Sequence, residues 1–447
     1  MAPFDPAHFV DDRPAEGVFR VHRDVYADPE LFELEIKYIF ERTWNFLTLE
    51  TEIARPHDYI TTWIGRTPIV VSRGGDGKIH AFLNACRHKG ATVCRAEKGN
   101  AASHVCLYHG WAYDSTGANV GIRQRRAGDY PPSFDKDDHG LVRIARLDSY
   151  KGLIFGSLSP DVPPLHEHLG DLKFYIDLHM EQGPRGMEFI PGRVAYTYRG
   201  NWKMQLENGQ DPYHVDTAHG SFAAVVARRR AGQGNVSALE LDRSKRGQSL
   251  LGAFEFAHGH TATWQDVPEP ERRVIFRSLD DVRARVGDIK AEWMIKQRNA
   301  VCFPNLQIAD HIVPILRTFR PISVDVTELR SNVLAPIGEA PELRAARLRQ
   351  FEDFVNPGGY ATPDDVTLFG DCQTGFGSTG FDYLQGYSHG LAEAKRGPDE
   401  TARAAGLEPL TSVAGLSAQN TELGTHAPLR EWARLMRAGI EGRKAYE

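Results

Sequence analysis

Four side chains in two short loops carry the most distinctive chemistry of the chain. Cys86-Arg87-His88 offers one thiol and one imidazole, and Cys106-Leu107-Tyr108-His109 offers the same pair again. Two such pairs suit a binuclear iron–sulfur centre in which histidines replace cysteines on one iron. The replacement removes negative charge and raises the reduction potential above that of an all-cysteine cluster. Gly90 and Gly110 follow the ligands and permit unusual backbone angles and close approach. A structural zinc site uses the same donors, but it opens on a wider Cys-to-Cys spacing, and Cys-x-His is awkward for a tetrahedral ion. A reading as plain core residues leaves two matching pairs unexplained in a chain with 5 cysteines. Cys94, between the pairs, fits neither and reads as a small buried hydrophobe.

A second constellation follows at Asp211-x-x-His214-x-x-x-x-His219. An ideal helix does not put these two histidines on one face. Pro212 lacks an N–H and clashes one turn back, so the helix must kink or break there. Taken alone, the histidines read as a surface or hydrogen-bonded pair. An electron-transfer cluster needs an acceptor, however, and two histidines with a carboxylate make the facial triad of non-haem Fe(II) oxygenases, with coordination positions left open. The carboxylate can come from Asp211 or, far downstream, from Asp364-Asp365.

The elements that must position these residues are legible in outline. Asp28 as N-cap and Pro29 at the first helical position open an amphipathic helix over 29–44, with Phe32, Ile36, Ile39, Phe40 and Thr43 on one face. Short β segments follow at Ile60–Ile64, Ile69–Ser72 and Ile79–Leu83. Another hairpin joins Trp111–Tyr113 to Ala118–Ile122 through Asp114-Ser115-Thr116-Gly117. Residues 46–160 therefore form a small antiparallel β domain that ends at a Pro-rich stretch, after an N-terminal helical arm over 1–45. Residues 161–447 mix strand-like Arg273–Phe276 and Val313–Phe319 with helices around Leu343–Val355 and Leu429–Ala438. The fold class is α+β, with an antiparallel sheet flanked by helices in the larger domain.

Composition narrows the function further. Hydrophobic residues make up 41% and charged residues 25%, and no apolar stretch is long enough to span a membrane. Met1 to Asp12 has no secretory-signal pattern. A net charge of -6 argues against nucleic acid or an anionic membrane as the partner, and Arg228-Arg229-Arg230 reads as a solvated loop. The few, odd-numbered cysteines suit a reducing cytosol and metal ligation rather than disulfides.

Together the motifs resemble the large (alpha) subunit of Rieske non-haem iron aromatic-ring-hydroxylating dioxygenases. Cys86-x-His88 with Cys106-x-x-His109-Gly110-Trp111 matches the family's cluster motif, and Asp211 to His219 matches its mononuclear iron motif. The resemblance extends through Arg320 to Asp325 and Glu352 to Gln373. Asn201 to Gly209, Arg349 to Phe354 and Thr362 to Asp365 are most similar to the benzoate and toluate dioxygenase group. Gln210 and Pro212 depart from that group's small residues.

This resemblance implies a [2Fe–2S] cluster held by Cys86, His88, Cys106 and His109, and Fe(II) held by His214, His219 and Asp365. Asp364 is the alternative carboxylate and Asp371 a more distant one. Asp211 resembles the aspartate that links a cluster histidine, here His109, to an iron histidine of the neighbouring subunit; Asn208 falls near the family's active-site asparagine. Asn208, Val215, Leu306, His311, Val355 and Phe369 are the substrate-pocket candidates. The larger domain is expected to be of helix-grip type. The implied reaction is insertion of O2 into a benzoate-like aromatic carboxylate to give a cis-dihydrodiol in the bacterial cytoplasm. Electrons would come from NADH through a flavin/iron–sulfur reductase, in a homotrimer with or without a small beta subunit. Rival readings are a Rieske monooxygenase of the salicylate, aniline or anthranilate type, an electron carrier without oxygenase activity, and a zinc-stabilised interaction protein.

Overall fold

Strand Thr67–Arg73 is buried on both faces, and this explains the smaller half of the molecule. Ile69 and Val71 point into a cluster with Leu47, Ile60, Ile64 and Ile154. Val70, on the opposite face by the strand's two-residue period, packs with Phe82, Cys86, Cys106 and Trp111. Its antiparallel neighbours are Asp58–Ile64 and Ile79–Leu83, with Lys98–Asn100 at the far side of Asp58–Ile64. A second sheet joins Ser103–Val105, Ala112–Asp114 and Asn119–Gly121, and a third joins Arg146–Tyr150, Leu153–Ser157 and Asn45–Leu49. The β segments expected from turn punctuation occupy these positions.

The computed structural model describes residues 5–126, 129–231, 249–415 and 421–446. The chain forms two compact units: Phe40–Leu165 is one, and Met1–Ile39 with His166–Glu447 is the other. The segment expected as a separate arm over 1–45 is thus, through Ile39, part of the larger unit. Its helix is capped by Asp28, whose carboxylate accepts from the backbone N–H groups of Glu30 and Leu31, and it ends at Tyr38 before a 3-10 turn at Phe40–Arg42.

The larger unit is built on a ten-stranded antiparallel sheet. Its central run is Val326–Pro336, Ile315–Ser323, Leu306–Asp310, Gln297–Cys302, Thr261–Gln265 and Leu251–Glu255. The long helix Leu423–Ile440 packs over Leu251–Glu255 and Thr261–Gln265. Two expectations fail. Arg273–Phe276 is not a strand: 3-10 turns occupy Pro270–Arg272 and Val274–Ser278. Prolines punctuate this stretch, and the Arg273 side chain is drawn to Asp310. Arg228-Arg229-Arg230 is not a loop either; it ends the helix Gly220–Ala231, whose alanines and arginines favour helix. Arg228 is exposed, and the side chains of Arg229 and Arg230, like Met1 to Phe4, lie outside the described residues.

A buried carboxylate ties the N-terminal helix to the helix Trp202–Asn208. Glu35 accepts from Lys203 Nζ at 2.5 Å, Trp202 Nε1 at 2.7 Å and Trp432 Nε1 at 2.6 Å, and all four residues are buried. Removing one partner of such a pair strands the other charge out of water. Glu35→Ala is therefore expected to cost about 3–5 kcal/mol in chemical denaturation, and a loss below about 1 kcal/mol would contradict the pairing.

Candidate metal centres

The two ligand loops of the smaller unit have the same backbone fold. Cys86 N–H donates to Ala91 O and Gly90 N–H to Cys86 O; Cys106 N–H donates to Trp111 O and Gly110 N–H to Cys106 O. Gly90 and Gly110 close the loops at φ +74° and +73°, the left-handed region that glycine reaches without strain. Each loop follows a strand, so the strands Ile79–Leu83 and Ser103–Val105 deliver the candidate ligands.

Cys86 and Cys106 are buried, whereas His88 and His109 are half-buried with ring centroids 4.3 Å apart. Nδ1 of both histidines is buried without a hydrogen-bond partner, a costly state for a polar atom unless something binds it. Two sulfurs and two orphaned nitrogens fit a cluster. Among the described residues, only His214, His219 and Asp365 are drawn together to single-ion spacing, so these four suit a wider binuclear group better than zinc. Cys94 stays apart: burial pushes its thiol up to about 12. Trp111 stacks on His88, and Tyr113 Oη lies 3.2 Å from Cys86 Sγ. Arg87 N–H donates to the same hydroxyl at 3.0 Å, which leaves its proton free for the sulfur.

In the larger unit, Asn201 caps the helix Trp202–Asn208, and the chain breaks through Pro212 before the short helix Val215–Ala218. This break lets His214 and His219 face each other at 5.2 Å between ring centroids. Asp365 enters from the first turn of the helix Thr362–Phe376. Its Oδ1 lies 3.6 Å from His214 Nε2 and 3.3 Å from His219 Nε2, and the three ligand atoms lie within 4.8 Å of one another.

Each imidazole is gripped from behind. His214 Nδ1 donates to Asp211 Oδ2 at 3.0 Å, and His219 Nδ1 lies 3.4 Å from Asp364 Oδ2, which also accepts from Ser221 Oγ. Such carboxylates fix the tautomer that leaves Nε2 free for a metal. Burial opposes a charged His214, but the hydrogen bond and charge of Asp211, with Asp365, outweigh it and raise its pKa; burial holds that of His219 down. Asn208 Nδ2 donates to Asp365 Oδ1 at 3.1 Å and lies 3.3 Å from His214 Nε2. Asp371 is exposed. The set has the donors and the excess negative charge that a divalent iron requires.

These residues form one wall of a cavity of about 460 Å³. Of the pocket candidates, Asn208, Val215, His311 and Val355 line it. Leu306 and Phe369 do not: Leu306 is buried on the other face of its strand, where its neighbour Gln307 takes the inward position, and Phe369 packs on Tyr198. The sequence reading did not find Asp364 as the support of His219, nor the polar wall supplied by Asn299, Gln307 and Arg317. The only sequence signal for that wall is a polar residue at an alternate position of otherwise apolar strands.

Hydrogen bonds to cluster sulfurs stabilise the reduced, more negative state. Tyr113→Phe is expected to lower the midpoint potential of the cluster in a potentiometric titration without loss of iron. An unchanged potential would remove Tyr113 from that role.

Two family models match the chain: the Rieske [2Fe-2S] domain over residues 43–144, and the catalytic domain of the ring-hydroxylating alpha subunit over 190–404. The toluate 1,2-dioxygenase alpha subunit of Pseudomonas putida is 41% identical, across 90% of this chain and 88% of the relative. The 2-halobenzoate 1,2-dioxygenase large subunit of Burkholderia cepacia is 38% identical, across 97% and 92%. A crystal structure of naphthalene 1,2-dioxygenase from a Rhodococcus species, bound to indole, matches with a TM-score of 0.79 at 27% identity, covering 94% of each chain. The chain therefore belongs to the Rieske non-haem iron ring-hydroxylating dioxygenase alpha subunits, oxidoreductases that carry a [2Fe–2S] cluster and a mononuclear iron.

Proposed function

We propose that this chain is the terminal oxygenase subunit that adds both atoms of O2 to a benzoate-like aromatic carboxylate, giving a cis-dihydrodiol. The observation that carries the reading is the convergence of His214, His219 and Asp365 on the wall of a cavity large enough for a small aromatic. Both relatives named above are called dioxygenases of aromatic acids, which supports the substrate class. When bound, the cluster supplies single electrons and the mononuclear iron supplies O2 activation.

The chain's own residues do the positioning. Asp211 and Asp364 hold the Nδ1 protons of the two histidines and so present both Nε2 atoms to the metal. Asn208 donates to Asp365 and limits which carboxylate oxygen stays free. Val215, Val355 and Phe354 give the cavity apolar walls, against which an aromatic ring displaces water. A reductase with flavin and iron–sulfur groups passes electrons from NADH, and the chain works in the cytoplasm as a homotrimer, with a small beta subunit where one is present. In that trimer Asp211 has a second task, accepting a hydrogen bond from His109 of a neighbouring copy.

Turnover of benzoate with reductase, NADH and ¹⁸O2 tests the reaction. Two labelled oxygens in one dihydrodiol are expected; a single label in a phenol would make the enzyme a monooxygenase. Asp211→Ala is expected to bind the mononuclear iron about 10- to 100-fold more weakly and, once reloaded with iron, to keep the cluster spectrum yet lose coupled turnover; normal coupled activity in the reloaded variant would overturn the bridging role.

A further inference from the structure

Among the described residues, one of the three buried arginines that line the cavity beside the iron site lacks a carboxylate partner. Arg273 and Arg298 share the one carboxylate of Asp310, each at 2.5 Å, and both donate in addition to backbone carbonyls. Arg317 has no such partner. It is 7% exposed, its Nε is buried without an acceptor, and among the described residues no carboxylate lies within ion-pair distance of it. A guanidinium held out of water without a counter-charge costs stability, and an anionic ligand relieves that cost.

Other groups on the same wall point the same way. Arg317 stands directly across from Gln307 in the neighbouring strand, so both side chains leave the sheet on one face. Gln307 gives its N–H to Asn299 Oδ1 at 2.8 Å and packs so close to Gly209 that a Cβ there would meet its amide. Gln210 is fully buried with both amide atoms unpartnered. All of them line the cavity that His214, His219 and Asp365 close. His311 adds no second positive charge: burial pushes its pKa down to about 3, and the charge of Arg317 helps.

We propose that Arg317 receives the carboxylate of the substrate and thereby sets which edge of the aromatic ring faces the iron ligands. The assignment rests on the aromatic-carboxylate reading above and goes beyond it by naming the residue. A guanidinium offers two parallel N–H groups in one plane, so it fixes the plane of the carboxylate, and through it the ring, as a lysine cannot. Gln210 supplies a further donor for the same oxygen-rich end of the ligand. The ring then lies along the apolar side of the cavity.

The test is binding of benzoate and of its neutral isostere benzamide to the holoenzyme by calorimetry, with iron content and cluster spectrum as controls. Arg317→Gln is expected to weaken benzoate by about 100-fold, the scale for losing one partner of a buried charge pair, and to change benzamide by less than about threefold. Arg317→Lys keeps charge but not the fork, and an intermediate loss of about tenfold for benzoate alone is expected. Benzoate binding within about threefold of wild type in Arg317→Gln overturns the assignment and leaves the carboxylate reading standing. Should the glutamine variant lose iron, the lysine variant decides, and an equal loss for both probes overturns the assignment. Wild-type enzyme that fails to prefer benzoate over benzamide overturns the carboxylate reading itself.

Discussion

Which nitrogen of His214 and His219 carries the proton decides whether this site can hold a metal at all. A neutral imidazole has one lone pair to give, and it must sit on Nε2, because only the Nε2 atoms face Asp365. Asp211 and Asp364 enforce this by taking the Nδ1 side of each ring. The rest of the larger unit holds these two hydrogen bonds in place: the break at Pro212, the helix carrying Asn208, and the helix end at Thr362. The Glu35 hub anchors the first of these helices to the N-terminal segment. Geometry that starts as chain-breaking chemistry at one proline thus ends as a choice of tautomer.

The cluster loops show the same logic on a smaller scale. Their ligands are presented by strands whose other residues build an apolar core, and Cys86 and Cys106 belong to that core. Low solvent access and a tyrosine hydroxyl at sulfur are both levers on potential. His88 and His109, by contrast, are half-buried.

Local chemistry was legible in the sequence, and long-range assembly was not. The ligand loops, their glycines, the Asp28 cap and the short strands of the smaller unit follow from residue type and spacing within a few positions. Asp364 against Asp365 does not. Neighbours on a helix point about 100° apart, so the choice depends on how that helix is rolled, and the packing of Thr362 and Phe369 sets the roll. Leu306 fails for the equivalent reason in a strand, where one position reverses the face. Arg317 and Gln307 sit on separate strands and meet only through register, which no local pattern announces. Arg273–Phe276 has the β-branched and aromatic residues of a strand, yet it lies in 3-10 turns where Arg273 pairs with the distant Asp310.

The claim on which the whole account stands is that Asp365 binds the iron while Asp364 orients His219. Iron per chain, measured beside the electron paramagnetic resonance signal of the reduced cluster, separates the two. In Asp365→Ala the account predicts a normal cluster signal with the iron of the [2Fe–2S] group and none beyond it. Asp364→Ala should keep the additional iron but bind it about 10- to 100-fold more weakly. The reverse order, with iron lost from Asp364→Ala and retained in Asp365→Ala, would contradict the account.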